Sequence, residues 1–172
     1  IKGDKIRSTM KKGGICVFVA TSEDYHQLNV DVLREASKKN GIYVSLNKSA
    51  ENVIKTLKKE KIDEKKFLII DTKGKKDGAN NCISIPDPSA LTQLSIAITT
   101  ATNSGNFEFL YLDTLNTLLI YNDLKTSEKF MNYVLNKLNG VNMNVVLMTL
   151  NEEKAKELVA IVSQFADSVV RV

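Results

Sequence analysis

Ile15-Cys16-Val17-Phe18-Val19-Ala20 is a six-residue apolar run with no polar break. A strand with one face in water alternates apolar and polar side chains. An unbroken, β-branched run is what a strand covered on both faces requires. Downstream of it, Leu28, Val32, Leu33 and Ala36 recur at helical spacing. Thr21 and Asp24 stand at capping-box spacing before that helix, and Asn40-Gly41 is expected to supply a left-handed stop after it. The same alternation then repeats. Residues 42–46, 67–70, 82–85, 107–112, 145–148 and 168–172 read as strands. Between them lie helices carrying Val53, Ile54 and Leu57 (capped by Ser49), Leu91, Leu94, Ile98 and Ala101, Leu115 to Tyr121, Phe130, Val134, Leu135 and Leu138, and Ala155, Leu158, Val159 and Val162 (capped by Asn151). Apolar strands separated by helices predict a three-layer α/β/α domain with a mostly parallel central sheet. Residues 12–172 form one such domain, with 1–11 an N-terminal extension or remnant.

Composition narrows the functional classes. The 172 residues are 43% hydrophobic and 26% charged, as in an ordinary globular domain. No apolar run approaches the roughly 20 residues that cross a bilayer, so no membrane segment is expected within the chain. Cys16 and Cys82 sit in apolar runs, which points to inert core thiols, a reducing compartment and a cytoplasmic location. The single histidine, His26, excludes a site of clustered imidazoles. The net charge of +4 comes from lysine, since only Arg7, Arg34 and Arg171 are arginines. Lys58, Lys59, Lys61, Lys65 and Lys66 read as the solvated side of a helix and loop. Without arginine forks or interleaved aromatics, nucleic acid is not an expected partner. The chain begins at Ile1 and not at Met, as an excised or processed segment would.

In open parallel sheets, ligands bind beyond the carboxyl ends of the strands. Two ends stand out here. One follows Ala20, where a strand runs directly into a helix. The other is Phe109-Leu110-Tyr111-Leu112-Asp113, four apolar or aromatic residues closed by an acid. A carboxylate there can hold Mg²⁺ through water in a nucleotide enzyme, or simply cap the next helix. His26 beside Asp24 forms a possible acid–base pair, with a surface histidine as the plainer reading. The segment from Lys73 to Gly78 reads as a turn.

Phe109-Leu110-Tyr111-Leu112-Asp113-Thr114-Leu115-Asn116-Thr117-Leu118-Leu119-Ile120-Tyr121-Asn122-Asp123 resembles the Walker B strand and following helix of RecA-superfamily ATPases of the KaiC type. Residues 42–46 resemble that family's second strand. Residues 145–148, together with Phe165-Ala166-Asp167-Ser168-Val169-Val170, resemble its closing strand–helix–strand. The resemblance implies a RecA/P-loop-like fold, and self-association or a protein partner.

The departures from the family pattern matter as much. A phosphate-binding loop needs flexible glycines, a lysine and a hydroxyl after the first strand. Here the corresponding stretch is Thr21-Ser22-Glu23-Asp24-Tyr25-His26, with no glycine between Gly14 and Gly41. Alignment on the resemblance puts Tyr25 at the lysine and His26 at the hydroxyl. Asn47-Lys48 stand where the family carries its catalytic glutamate. An amide and a cation do not take a proton from water. The expectation is a degenerate Walker A, with Ser22, Glu23, Asp24, Tyr25, His26 and Asp113 as a vestigial nucleotide pocket, no catalytic residue and no cofactor. The resulting function is a catalytically inactive, regulatory or scaffolding module. The alternative is an unconventional ATP- and Mg²⁺-binding ATPase that uses Asp113 for the metal.

Overall fold

The computed structural model describes residues 2–74 and 81–172. Lys75, Lys76, Asp77 and Gly78 of the expected turn lie outside them. In chain order the elements are α1 (Lys2–Lys12), β1 (Ile15–Ala20), α2 (Tyr25–Ala36), β2 (Gly41–Ser45), α3 (Ala50–Lys59), β3 (Phe67–Asp71), β4 (Cys82–Ser84), α4 (Leu91–Asn103), β5 (Phe109–Asp113), α5 (Leu115–Tyr121), α6 (Leu124–Asn139), β6 (Asn144–Leu150), α7 (Lys156–Ser163) and β7 (Ser168–Arg171). The strands form one sheet in the order β4-β3-β2-β5-β6-β1-β7, and every neighbouring pair is parallel.

Burial follows from this arrangement. All residues of β1, β2 and β5 are buried, the polar Ser45 and Asp113 at the ends of β2 and β5 included. Side chains alternate between two cores. Val17, Val44, Leu110 and Leu112 pack under α4, α5, α6 and α7. Phe18, Tyr43, Phe67, Phe109 and Tyr111 pack under α1, α2 and α3, where Tyr43 meets the rings of Phe67 and Tyr111 edge to face. Residues 2–12, for which the sequence predicts no element, form a helix whose Ile6 is buried in this second core.

Local expectations divide. Ser49 does cap α3, its side chain accepting from the Asn52 amide at 3.2 Å. The Asn40-Gly41 stop is corrected: α2 ends at Ala36 with Ser37 as its C-cap, and Gly41 opens β2. Glycine is needed there for space, because a Cβ would lie 2.1 Å from the Phe109 ring. Asn151 does not cap the last helix. A 3₁₀ turn (Glu153–Ala155) intervenes, and α7 starts at Lys156. The strand expected over 107–112 runs instead from Phe109 to Asp113. Asp167, in the closing stretch, anchors the start of β1, its Oδ2 accepting from the Ile15 amide at 2.8 Å. Gly14 lets it approach, with φ +73° and no room for a Cβ.

Candidate functional site

The helices following β1 and β2 cover one face of the sheet, whereas those following β5 and β6 cover the other. At such a switch the connections diverge and leave a crevice at the carboxyl ends of the strands. A cleft of about 290 Å³ lies there. One wall is Tyr25, His26 and Asn29 of α2 with Asn47 and Lys48 of the loop after β2. The other is Thr114, then Asn116, Thr117 and Ile120 of α5, with Leu150 at the end of β6 and Glu152 just after it.

Its second wall is locked in place by Asn116. The Asn116 Oδ1 accepts from Thr149 Oγ1 and the Leu150 amide, both at 2.8 Å. Its Nδ2 donates to Glu152 Oε2 at 3.0 Å and to the Leu150 carbonyl at 3.3 Å. Thr114, not Asp113, caps α5, accepting from the Thr117 amide at 3.3 Å.

The six residues that the sequence singles out are distributed unevenly. Tyr25 and His26 line the cleft. Ser22, Glu23 and Asp24 form the turn leading into α2, with Ser22 and Glu23 exposed. The Thr21 hydroxyl donates to Asp24 Oδ2 at 3.1 Å and accepts from the Asp24 amide at 3.3 Å, so the capping-box pair closes on the turn and not on the helix. A Glu60 carboxylate oxygen lies 3.8 Å from His26 Nε2. Asp113 lies behind the cleft wall, 0% exposed. Its Oδ2 accepts a long 3.5 Å bond from the Tyr43 hydroxyl, and Oδ1 has no partner among the described residues. Burial pushes its carboxyl up to about 7.

Asn29 is not among those six. It is 2% exposed and lies near the Tyr43 hydroxyl, whose rise by burial it reduces. Its signal in the sequence is a polar residue at i, i+4, i+7 spacing with the apolar Leu33 and Ala36. Burial also raises the Tyr43 and Tyr111 hydroxyls above their ordinary range. Glu51, the first acid after Asn47-Lys48 in the chain, pairs with Lys55 at 3.5 Å on the exposed side of α3. Both cysteines are free and their thiols raised by burial, Cys16 to about 11, which makes them poor nucleophiles. No group of three or more metal-binding side chains occurs among the described residues, and none of their helices is long and apolar enough to cross a membrane.

Residues 17–172 match the model of a family of unknown function, DUF7504. No curated protein matches the chain. Among solved structures, a KaiC-like protein of the hyperthermophilic archaeon Pyrococcus horikoshii shares the fold, with a TM-score of 0.61 over 92% of this chain and 70% of that one at 12% identity.

Proposed function

The chain belongs to the DUF7504 family, and from that premise and the KaiC-like fold we propose a non-hydrolysing RecA/KaiC-like domain, a regulatory or scaffolding module acting in the cytoplasm through protein contacts or self-association. The observation that carries this reading is the turn between β1 and α2. It presents Glu23 and Asp24 where a polyphosphate would need amides and a lysine. Each carboxylate close to a phosphate charge opposes binding by about 1 to 4 kcal/mol. The turn has no glycine whose backbone would wrap the phosphates. Asp113, the carboxylate expected to hold Mg²⁺, is sealed from solvent. These residues do not fit a Mg–polyphosphate.

Thermal unfolding with and without Mg-ATP tests the proposal. The expected result is no shift, since a ligand at 100 times its Kd adds about 2.7 kcal/mol. A clear upward shift that Asp113→Ala abolishes would overturn it in favour of a Mg-nucleotide-binding ATPase.

A further inference from the structure

A second cavity, of about 190 Å³, lies at the amino ends of β1, β5 and β6, the opposite end of the sheet from the cleft. Its apolar lining is Met10 of α1, Ala36 of α2, and Cys16, Phe109 and Val146 of the three strands. Burial pushes the Cys16 thiol up to about 11, so it stays neutral and adds to that apolar surface. Donors dominate the polar lining. Lys11 and Lys39 are exposed at the rim and make no ion pair among the described residues. Glu35, a carboxylate in the lining, is already held through both oxygens by Lys38, each at 2.8 Å. Asn144 Oδ1 accepts from the Gly14 amide at 2.8 Å, which fixes the orientation of that side-chain amide. Nδ2 is left to donate. It has no partner among the described residues and, unlike Asp113 Oδ1, keeps accessible surface.

We infer that this cavity binds a small carboxylate with a compact apolar body, the carboxylate received by Lys11, Lys39 and Asn144 Nδ2 and the body by the apolar lining. An apolar pocket with a few polar groups that fix orientation is the usual form of a small-molecule site. A dry apolar cavity of ~150 Å³ takes up benzene, so the volume here suits a body of one ring. Hydrogen bonds from an ammonium to a carboxylate are about twice as strong as neutral ones, and the lysine stem lets the charge follow its ligand. An inorganic anion would leave the apolar lining uncovered, and a neutral ring would leave the donors unmatched. The site goes beyond the proposed module function and does not depend on what the cleft holds.

The test is a chemical-shift titration of the full chain with benzoate, benzyl alcohol and inorganic phosphate in separate arms. It is read at the Asn144 side-chain amide and the Met10 methyl group. Saturable shifts of both with benzoate are expected, with benzyl alcohol about tenfold weaker or more and no shift of the Met10 methyl with phosphate. Lys11→Gln combined with Lys39→Gln, both at exposed positions, should weaken benzoate about tenfold or more at an unchanged thermal midpoint. Asn144→Asp keeps an acceptor for the Gly14 amide but turns the free donor into an oxygen, and should weaken benzoate at least as much. Silence of benzoate up to about 10 mM, benzyl alcohol binding as tightly as benzoate, or unchanged affinity in both variants overturns the inference. Each of these outcomes leaves the Mg-ATP test of the cleft untouched, so the two readings fail separately.

Discussion

Asp71 and Asp113 close neighbouring parts of one sheet in equivalent ways. Asp71 ends β3, Asp113 ends β5, and both lie level with Ser45 of the intervening β2. Both are buried, at 3% and 0% exposure. Their surroundings could hardly differ more. Asp71 Oδ2 accepts from the Ala50 amide at the start of α3 at 2.7 Å, and Oδ1 accepts from the Ser84 hydroxyl at 2.6 Å and the Lys73 amide at 3.4 Å. Asp113 has one long bond from Tyr43 and an oxygen unmatched among the described residues. The lesson concerns supply. A buried carboxylate is a structural asset where the next helix brings an amide to it, and a liability where it does not.

Removing the asset should have the largest effect. Asp71→Ala strips the Ala50 amide and the Ser84 hydroxyl of their shared acceptor. A loss of about 3 to 5 kcal/mol is expected from several charge-assisted bonds, read as a lower urea midpoint with an unchanged m value. A loss below about 1 kcal/mol, the scale of one ordinary hydrogen bond, would break the comparison.

Removing the liability should act in the opposite direction. The Asp113 carboxyl is raised from 3.8 to about 7 by burial, so the folded state holds a proton that the unfolded chain has released. Stability therefore falls as pH rises from about 4 to about 7 and levels off above, a change of about 4 kcal/mol for a shift of this size. Asp113→Asn should remove this slope and raise stability by up to that amount at pH 8. Denaturation curves at pH 5 and pH 8 check both. A variant as pH-sensitive as the parent would show that Asp113 is not the titrating group.

The smallest effect belongs to the bond between Tyr43 and the acid. Tyr43→Phe deletes the hydroxyl that donates to Asp113 but keeps the ring contacts with Phe67 and Tyr111. A change of less than about 1 kcal/mol is expected for so long a bond. The midpoint of the pH transition should move upward, since the carboxylate loses its donor.

Much of this architecture is legible in the residues themselves. The unbroken run at Ile15 to Ala20 and the apolar stretch Phe109 to Leu112 point to strands covered on both faces, and the Ser49 cap is visible as a hydroxyl before an apolar helical stripe. The site is legible only in outline. Tyr25 and His26 line the cleft, but the approach of Glu60 to His26, from far along the chain, is something no local spacing points to. Gly41 reads as a helix stop because glycine favours left-handed turns. Its real constraint is the Phe109 ring on a neighbouring strand.

Apart from α1, the sequence alone marked which segments are strands and helices, because periodicity and apolar content act over a few residues at a time. Only the tertiary structure decided that Asn29 lies near Tyr43, that Tyr43 donates to Asp113, and that Asp71 is fed by α3 while Asp113 is not. Those relations depend on strand order β3-β2-β5 and on which face each helix covers. Hydrogen bonds form across that order, between groups that the chain itself keeps far apart.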